Sequence, residues 1–314
     1  MVPLPDRLAA APIANLARRL FEGLLTAWAA ISLTFFALRL SAGDPVASLL
    51  SQGLTTSEQA EALRQRLGYD LPLFQQYLHF MEGLLRGDLG VSLYSGQPVT
   101  ALIRAALPST LQLAGLSLAI AIPLGGILGA LAAWARRSTL RRAAGAAASL
   151  ATALPVATTG VISLLLFSRL IRSQAPDLGV WLPAAVLGYA ASGPFARVVQ
   201  AGLESTLQAQ FILAARARGL RKGSRMFWHA LRPALPPVIS LLALETAFLF
   251  AGTAVTETVF SRPGLGRTLV RSILQADFPI AQAIVGLSAL FYVATQVVAD
   301  GLAWAADPRL REAR

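Results

Sequence analysis

Apolar residues come in six long runs, separated by polar or basic stretches. The runs cover residues 20–38, 107–134, 143–167, 178–200, 238–256 and 280–305. A helix of about 20 apolar residues is long enough to cross the hydrocarbon core of a bilayer. These runs are too long for the strands of a membrane barrel. A chain in lipid must also satisfy its own backbone hydrogen bonds. The pattern therefore predicts an all-α polytopic membrane protein with six transmembrane helices. Gly125 and Gly129 give the second run a small-xxx-small face suited to close helix packing. Pro123 is expected to kink that helix, and Pro155 lies inside the third.

The polar stretches set the expected sidedness. Residues 41–104 carry Asp44, Glu58, Glu61, Asp70, Glu82 and Asp88 against Arg64, Arg66, Arg86 and Arg104. That balance suits the translocated side, where arginine is not enriched. Ser57 is placed to cap one helix there, and Pro72 to start a second with Phe74, Tyr77, Leu78, Met81, Leu84 and Leu85 on its apolar side. Arg136, Arg137, Arg141 and Arg142 follow the second run with no acid among them, against Arg169 and Arg172 after the third. The positive-inside rule then puts both termini in the cytoplasm. The expected organisation is a cytoplasmic tail (1–19), a transmembrane domain (20–306) with an extracytoplasmic loop (41–104) and a cytoplasmic loop (205–236), and a cytoplasmic C-terminal tail (307–314). The first run is longer than a signal-peptide core, so it reads as an uncleaved span.

The cytoplasmic loop holds the most local structure. Arg216, Arg218, Arg221, Lys222, Arg225 and Arg232 lie in it, with no acid between Glu204 and Glu245. It reads as two short helices with a break. Phe211, Ile212, Ala214 and Ala215 belong to the first, and Gly219 suits its left-handed exit. Ser224 is placed to cap the second, Met226, Phe227, Ala230 and Leu231 form its apolar stripe, and Pro233 ends it. Such a loop either rests on lipid headgroups or docks a soluble partner.

Composition removes most chemistry. The chain is 55% hydrophobic and 14% charged. Its net charge of +11 is accounted for by arginine-rich cytoplasmic loops, without nucleic acid. There is no cysteine. The only lysine, Lys222, is not followed by Ser or Thr, so there is no phosphate-binding P-loop. His79 and His229 lie on opposite expected sides, and nothing in the sequence groups ligands for a metal or a cofactor. Glu245 stands out, midway along the fifth run. An ionisable group there is costly unless paired or wet. It is either a structural partner, for example of Arg197, a protonated carboxyl bonded to a neighbour, or an anion lining a solute pathway.

Several segments resemble one family. Leu213-Ala214-Ala215-x-x-x-Gly219 is similar to the Glu-Ala-Ala-x-x-x-Gly loop of ATP-binding-cassette (ABC) importer permeases, with Leu213 in place of the acid. In the dipeptide/oligopeptide/nickel branch that acid is often absent. The run from Ala214 to Leu220 followed by Trp228-His229-Ala230-Leu231-Arg232 resembles that branch. So do Gly87-Asp88-Leu89-Gly90-x-Ser92-Leu93 and Glu257-Thr258-Val259-Phe260-x-x-Pro263-Gly264-Leu265-Gly266. Asp307-Pro308-Arg309 matches the family ending.

The resemblance implies a type I ABC importer permease fold and half of a translocation pathway for a peptide, nickel or similar small solute. It implies no enzymatic reaction in this chain and no cofactor. It assigns Ala214, Ala215, Arg218, Gly219, Leu220, Phe227, His229 and Leu231 to ATPase coupling, and Glu257, Pro263, Gly264 and Gly266 to an extracytoplasmic motif. Glu245 and Arg197 are the pathway candidates; members of the family commonly carry a neutral amide where this chain has Glu245. The implied partners are a second, related permease forming a heterodimer, two cytoplasmic ABC ATPases, an extracytoplasmic solute-binding protein and the lipid bilayer. The alternatives are a secondary transporter driven by an ion gradient, which needs a buried acid and broken helices in related halves, and a membrane scaffold that moves no solute.

Overall fold

The computed structural model describes the backbone of residues 7–42, 44–53, 55–135, 137–173 and 178–306. It describes side chains from residue 18 to 302, apart from 41–43, 54, 136, 168–178, 222, 227 and 251–252. The described residues are helical, save for turns and one isolated bridge between Val91 and Pro98. The helices are α1 (Arg7–Ala42), α2 (Pro45–Ser51), α3 (Ser57–Leu67), α4 (Leu73–Leu85), α5 (Val99–Trp134), α6 (Ser138–Ala153), α7 (Val156–Ser173), α8 (Leu178–Leu207) and α9 (Gln210–Ala217). A short turn α10 (Lys222–Ser224) and a π-helix (Arg225–Ala230) lead into α11 (Leu231–Gly252). Then come α12 (Ala254–Val259), α13 (Leu265–Leu274) and α14 (Phe278–Ala306).

Among the described residues, four helices are long and apolar enough to cross a membrane: Arg18–Leu40, Val99–Trp134, Trp228–Val259 and Phe278–Leu302. A fifth is reached only if Ser138–Ala153 and Val156–Phe167 together make one span. The expected single helix over 143–167 does not form. The chain bends by 100° between those two helices. Pro155 has no N–H to continue α6, and it holds Leu154 in extended backbone (φ −82°, ψ 121°). The expected fourth span, 178–200, is a continuous helix, α8, but it is not among the four. It is enclosed instead by protein: Ala184, Leu187, Ala191, Ser192, Phe195, Ala196, Val199 and Leu203 are all buried. A helix surrounded by other helices does not need lipid-facing side chains.

The chain divides into two compact units. One comprises residues 1–110 and 261–293, the other 111–260 and 294–314, so α5 and α14 belong to both. In the first unit, the fully buried Phe35 of α1 meets Tyr77 edge-on and stacks on Phe80 of α4, with ring centroids 5.3 Å apart in each pair. The Arg39 guanidinium lies 3.7 Å from the centre of the Phe35 ring, and its Nε donates to Gln76 Oε1 at 2.8 Å. Burying a guanidinium this way needs both the ring face and the hydrogen bond. The α3 N-cap is Thr56, one residue before the expected Ser57. Its Oγ1 accepts from Gln59 N while the Gln59 side chain accepts from Thr56 N, a reciprocal capping box.

In the second unit α8 packs against α6, α7 and α11. It approaches α5 closely enough that backbone faces backbone. A Cβ on Gly129 would lie 2.5 Å from the Ala196 carbonyl oxygen, and one on Gly125 would lie 2.7 Å from that of Ser192. Gly188 stands in the same relation to the Ser117 carbonyl, at 2.8 Å. The expected small-xxx-small face is therefore used within the chain.

Gly129→Val should force α5 and α8 apart and destabilise the protein by about 1–3 kcal/mol, the usual cost of overpacking. At Gly126, where a new methyl meets nothing within 4 Å, Gly126→Ala should leave stability unchanged or slightly raised through helix propensity. The fraction of each variant that remains monodisperse after heating in detergent measures both.

Candidate functional site

The basic loop is tied to the second unit by its inner face. Ile212 and Ala215 of α9 are buried, as are Met226 and Ala230 of the π-helix and Ala234 of α11. Ile212, Met226, Ala230 and Ala234 form one cluster with Val199 and Leu203 of α8, and Trp134, Leu207 and Leu231 pack around it. The outer face is open. Phe211, Leu213, Ala214, Arg216, Arg218, Arg221 and Arg232 are exposed, and Trp228 is 79% exposed. Leu220, His229 and Leu231 are half-buried between the two faces. The side chain of Phe227 lies outside the described residues.

The break after α9 forms as expected. Gly219 takes φ +75°, and the Leu220 N–H bonds back to the Ala215 carbonyl at 3.2 Å. A Cβ at Gly219 would touch nothing, so the backbone angle alone calls for glycine. The second helix differs from expectation. Ser224 is in helical backbone (φ −62°, ψ −40°) and makes no side-chain cap; its carbonyl lies 3.3 Å from His229 Nδ1. Pro233 does not end the helix, which continues to Gly252. The wider turn is closed by Leu231 N–H donating to the Met226 carbonyl, a π-type bond spanning five residues. Pro233 then falls in the first turn after the change of register, where a missing N–H costs least. The end of the basic loop and the span are one continuous helical piece.

Trp228 was not among the expected coupling residues. The signal was present: at helical spacing it lies opposite Met226 and Ala230. A tryptophan on the outer face of an amphipathic turn is the anomaly to look for.

The motif expected on the extracytoplasmic side splits into separate jobs. Glu257 is fully buried, beside the buried Thr253 and Thr256. Gly264 and Gly266 are buried and Pro263 is exposed. Ser261 sits in left-handed backbone at φ +54°, an uncommon state for a serine. Its carbonyl accepts from Arg267 Nη1 at 2.6 Å. Arg262 Nη2 donates to Ser109 Oγ at 3.2 Å, and the Leu265 N–H donates to Thr110 Oγ1 at 2.8 Å. The start of α13 is thus capped by α5. Asp277, just before α14, accepts from Ser92 Oγ at 2.6 Å and from the Leu93 N–H at 3.2 Å. Burial raises its carboxyl above the ordinary value of 3.8, and those hydrogen bonds oppose the shift.

Glu245 lies half-buried on α11, and Arg197 is exposed on α8. No hydrogen bond or ion pair joins them, and neither has another such partner among the described residues.

Comparison with known proteins gives the family and the fold. The family model described as "Binding-protein-dependent transport system inner membrane component" matches residues 125–312, and the model for the N-terminal part of such membrane components matches residues 13–114. The glutathione transport system permease protein GsiC of Pectobacterium atrosepticum is 34% identical, over 89% of this chain and 92% of the relative. The di/tripeptide transport system permease protein DppB of Pseudomonas aeruginosa is 32% identical, over 95% of this chain and 99% of the relative. The MetNI methionine ABC transporter, in an inward-facing conformation, superposes with a TM-score of 0.58 at 19% identity, over 66% of this chain and 97% of that one. An amino acid ABC transporter with histidines gives 0.56 at 15%, over 66% and 94%. At such identity the superpositions establish the fold alone.

Asp277→Asn should be tolerated, whereas Asp277→Ala leaves the Ser92 and Leu93 donors unpaired and should cost about 1–3 kcal/mol. A raised carboxyl pKa means that the protonated form favours the folded state. That contribution is complete below the ordinary value and is lost as pH rises through the higher folded value. The stability of wild type relative to Asp277→Asn should therefore decline over that interval, as read from thermal midpoints of the purified protein at stepped pH.

Proposed function

The chain belongs to the inner-membrane component family of binding-protein-dependent transport systems and is a permease subunit of an ABC importer, and on that premise we propose that its basic loop, residues 205–236, is the surface through which ATPase motion enters the membrane. The chain is a multi-pass inner-membrane protein that catalyses no reaction itself, since ATP is hydrolysed by partner subunits. This sets aside the reading as an ion-driven carrier. Its system includes a substrate-binding protein.

The observation that carries the proposal is the two-sidedness of the loop. Its inner face is packed onto α8 and α11, while its outer face offers Trp228, Leu213, Ala214 and four arginines. An exposed aromatic on a loop with exposed arginines is the composition of an interface anchor, and it fits an apolar groove with acidic rims. A push on Trp228 passes directly into α11, because the π-helix joins the two without a break. Ala215 and Gly219 shape the loop, Arg218 and Ala214 face the partner, and Leu220, His229 and Leu231 hold the joint. The loop and both termini then lie in the cytoplasm, in keeping with the arginine distribution. The Glu257–Gly266 segment lies on the opposite side, where the binding protein delivers solute.

The chain forms half of the pathway, beside a second, related permease. The solute is a peptide or a peptide-like molecule, the class after which the glutathione and di/tripeptide relatives are named. Alternating access follows: closure of the ATPases pulls the loop, and the spans rock around the solute.

Trp228→Asp, Ala214→Asp and Gly219→Asp should each lower ATP-driven peptide uptake by about tenfold or more in proteoliposomes, equivalent to about 1.4 kcal/mol of coupling. The amount of chain inserted should stay the same. The Gly219 variant adds a backbone penalty of about 1–2 kcal/mol in the loop. Uptake at the wild-type rate in all three would overturn the assignment.

A further inference from the structure

We propose that Glu245 is a recognition site within the translocation pathway, and that it receives the cationic group of the solute, an ammonium in the case of a peptide. The inference rests on the permease reading above and deepens it.

The first ground is the place of the residue. The four apolar spans also contain Glu22, Glu257 and Asp300, but those stand near span ends. Glu245 stands eight residues beyond Pro237 and twelve before Glu257. At a helical rise of about 1.5 Å per residue, that is about 12 Å from Pro237 along the axis, out of easy reach of either headgroup layer.

The second ground is its surroundings. Leu241, Leu242 and Leu249 of α11 pack into the cluster formed with α5 and α8. Ser240, Leu244 and Phe248 face outward, and Phe248 is 70% exposed. Glu245 lies on the border between these faces, half-buried. The hydroxyls nearby on its own helix are already used: Thr246 Oγ1 donates to the Leu242 carbonyl at 2.6 Å, and Ser240 Oγ to that of Pro236 at 3.3 Å. Arg197 is exposed and does not reach it. Among the described residues, the chain thus offers the carboxylate neither a cation nor a donor.

Hydrocarbon does not accept such a group, so this face of α11 does not look into lipid. What meets it must bring positive charge and then leave. A mobile solute does both, whereas a fixed counter-ion would close the pathway. A half-exposed carboxylate also has the right strength for a transport site: attractive enough to admit a cation and weak enough to release it. Peptides carry a free ammonium at one end. The continuity of α11 with the π-helix further places Glu245 on the piece that the loop moves, seventeen residues and about 25 Å from Trp228.

The test uses the complete importer in proteoliposomes, with trialanine and its N-acetylated form as solutes. Glu245→Gln should lower the maximal uptake of trialanine about fivefold, the size expected for a partly exposed charge pair, while ATP hydrolysis and assembly are unchanged. Glu245→Asp should keep uptake within about twofold. In wild type, modification of Glu245 by dicyclohexylcarbodiimide, mapped by mass spectrometry, should be slowed by trialanine and not by the N-acetylated peptide. This second readout does not depend on a variant folding. Unchanged trialanine uptake in Glu245→Gln overturns this inference alone. So does carbodiimide labelling that neither peptide slows, which would leave Glu245 a structural residue. A wild-type importer that moves no peptide overturns the peptide reading, and this inference with it.

Discussion

Backbone contact between α5 and α8 is the constraint on which the second unit depends. Lipid tails are as apolar as leucine, so helices in a bilayer gain little from hiding apolar side chains from one another. They gain from fitting closely. Gly125, Gly129 and Gly188 remove the side chains that would hold the two helices apart, so that the carbonyls of Ser117, Ser192 and Ala196 lie where a Cβ would otherwise be. With that contact made, Leu113, Ala121, Leu187, Phe195 and Leu249 close into one core. The composition of α8 follows from the same constraint. It is rich in alanine, glycine and serine because its neighbours are helices.

The loop extends that packing beyond the span ends. Val199 and Leu203 lie on the same α8 that meets Gly129, and they provide the seat for Ile212, Met226 and Ala230. A loop bound this way does not move alone. The apolar cluster joins the loop to α8, and the π-helix joins it to α11. The π-turn keeps this connection continuous despite the prolines that follow, because changing the hydrogen-bond register accommodates a residue that cannot donate.

A different device orders the first unit, where polar groups are buried and so must be paired. Asp277 holds the Ser92 turn, Thr110 caps α13, and Arg39 lies over the Phe35 ring. The first two contacts join residues far apart in the chain.

The sequence by itself determined the elements whose cause is local. Long apolar runs had to be helices, because a backbone in lipid must bond to itself. The left-handed Gly219 was legible because only glycine takes that angle at little cost. The family was legible because its motifs recur in order along most of the chain. Tertiary structure decided the rest. Pro155 could be read as a kink or as a break, and only the packing of α6 and α7 around α8 made it a 100° bend. Ser224 and Pro233 looked like a cap and a stop by local rules, and a π-turn, held by Met226 and Ala230 in the core, overrode both. Trp228 was left as an exposed side chain only once its neighbours were buried. The separation of Glu245 from Arg197 was likewise invisible in the sequence, since whether the two pair depends on how α8 and α11 turn against each other. Local chemistry sets which backbone states a residue can take, and only the packed helices choose which side chains meet.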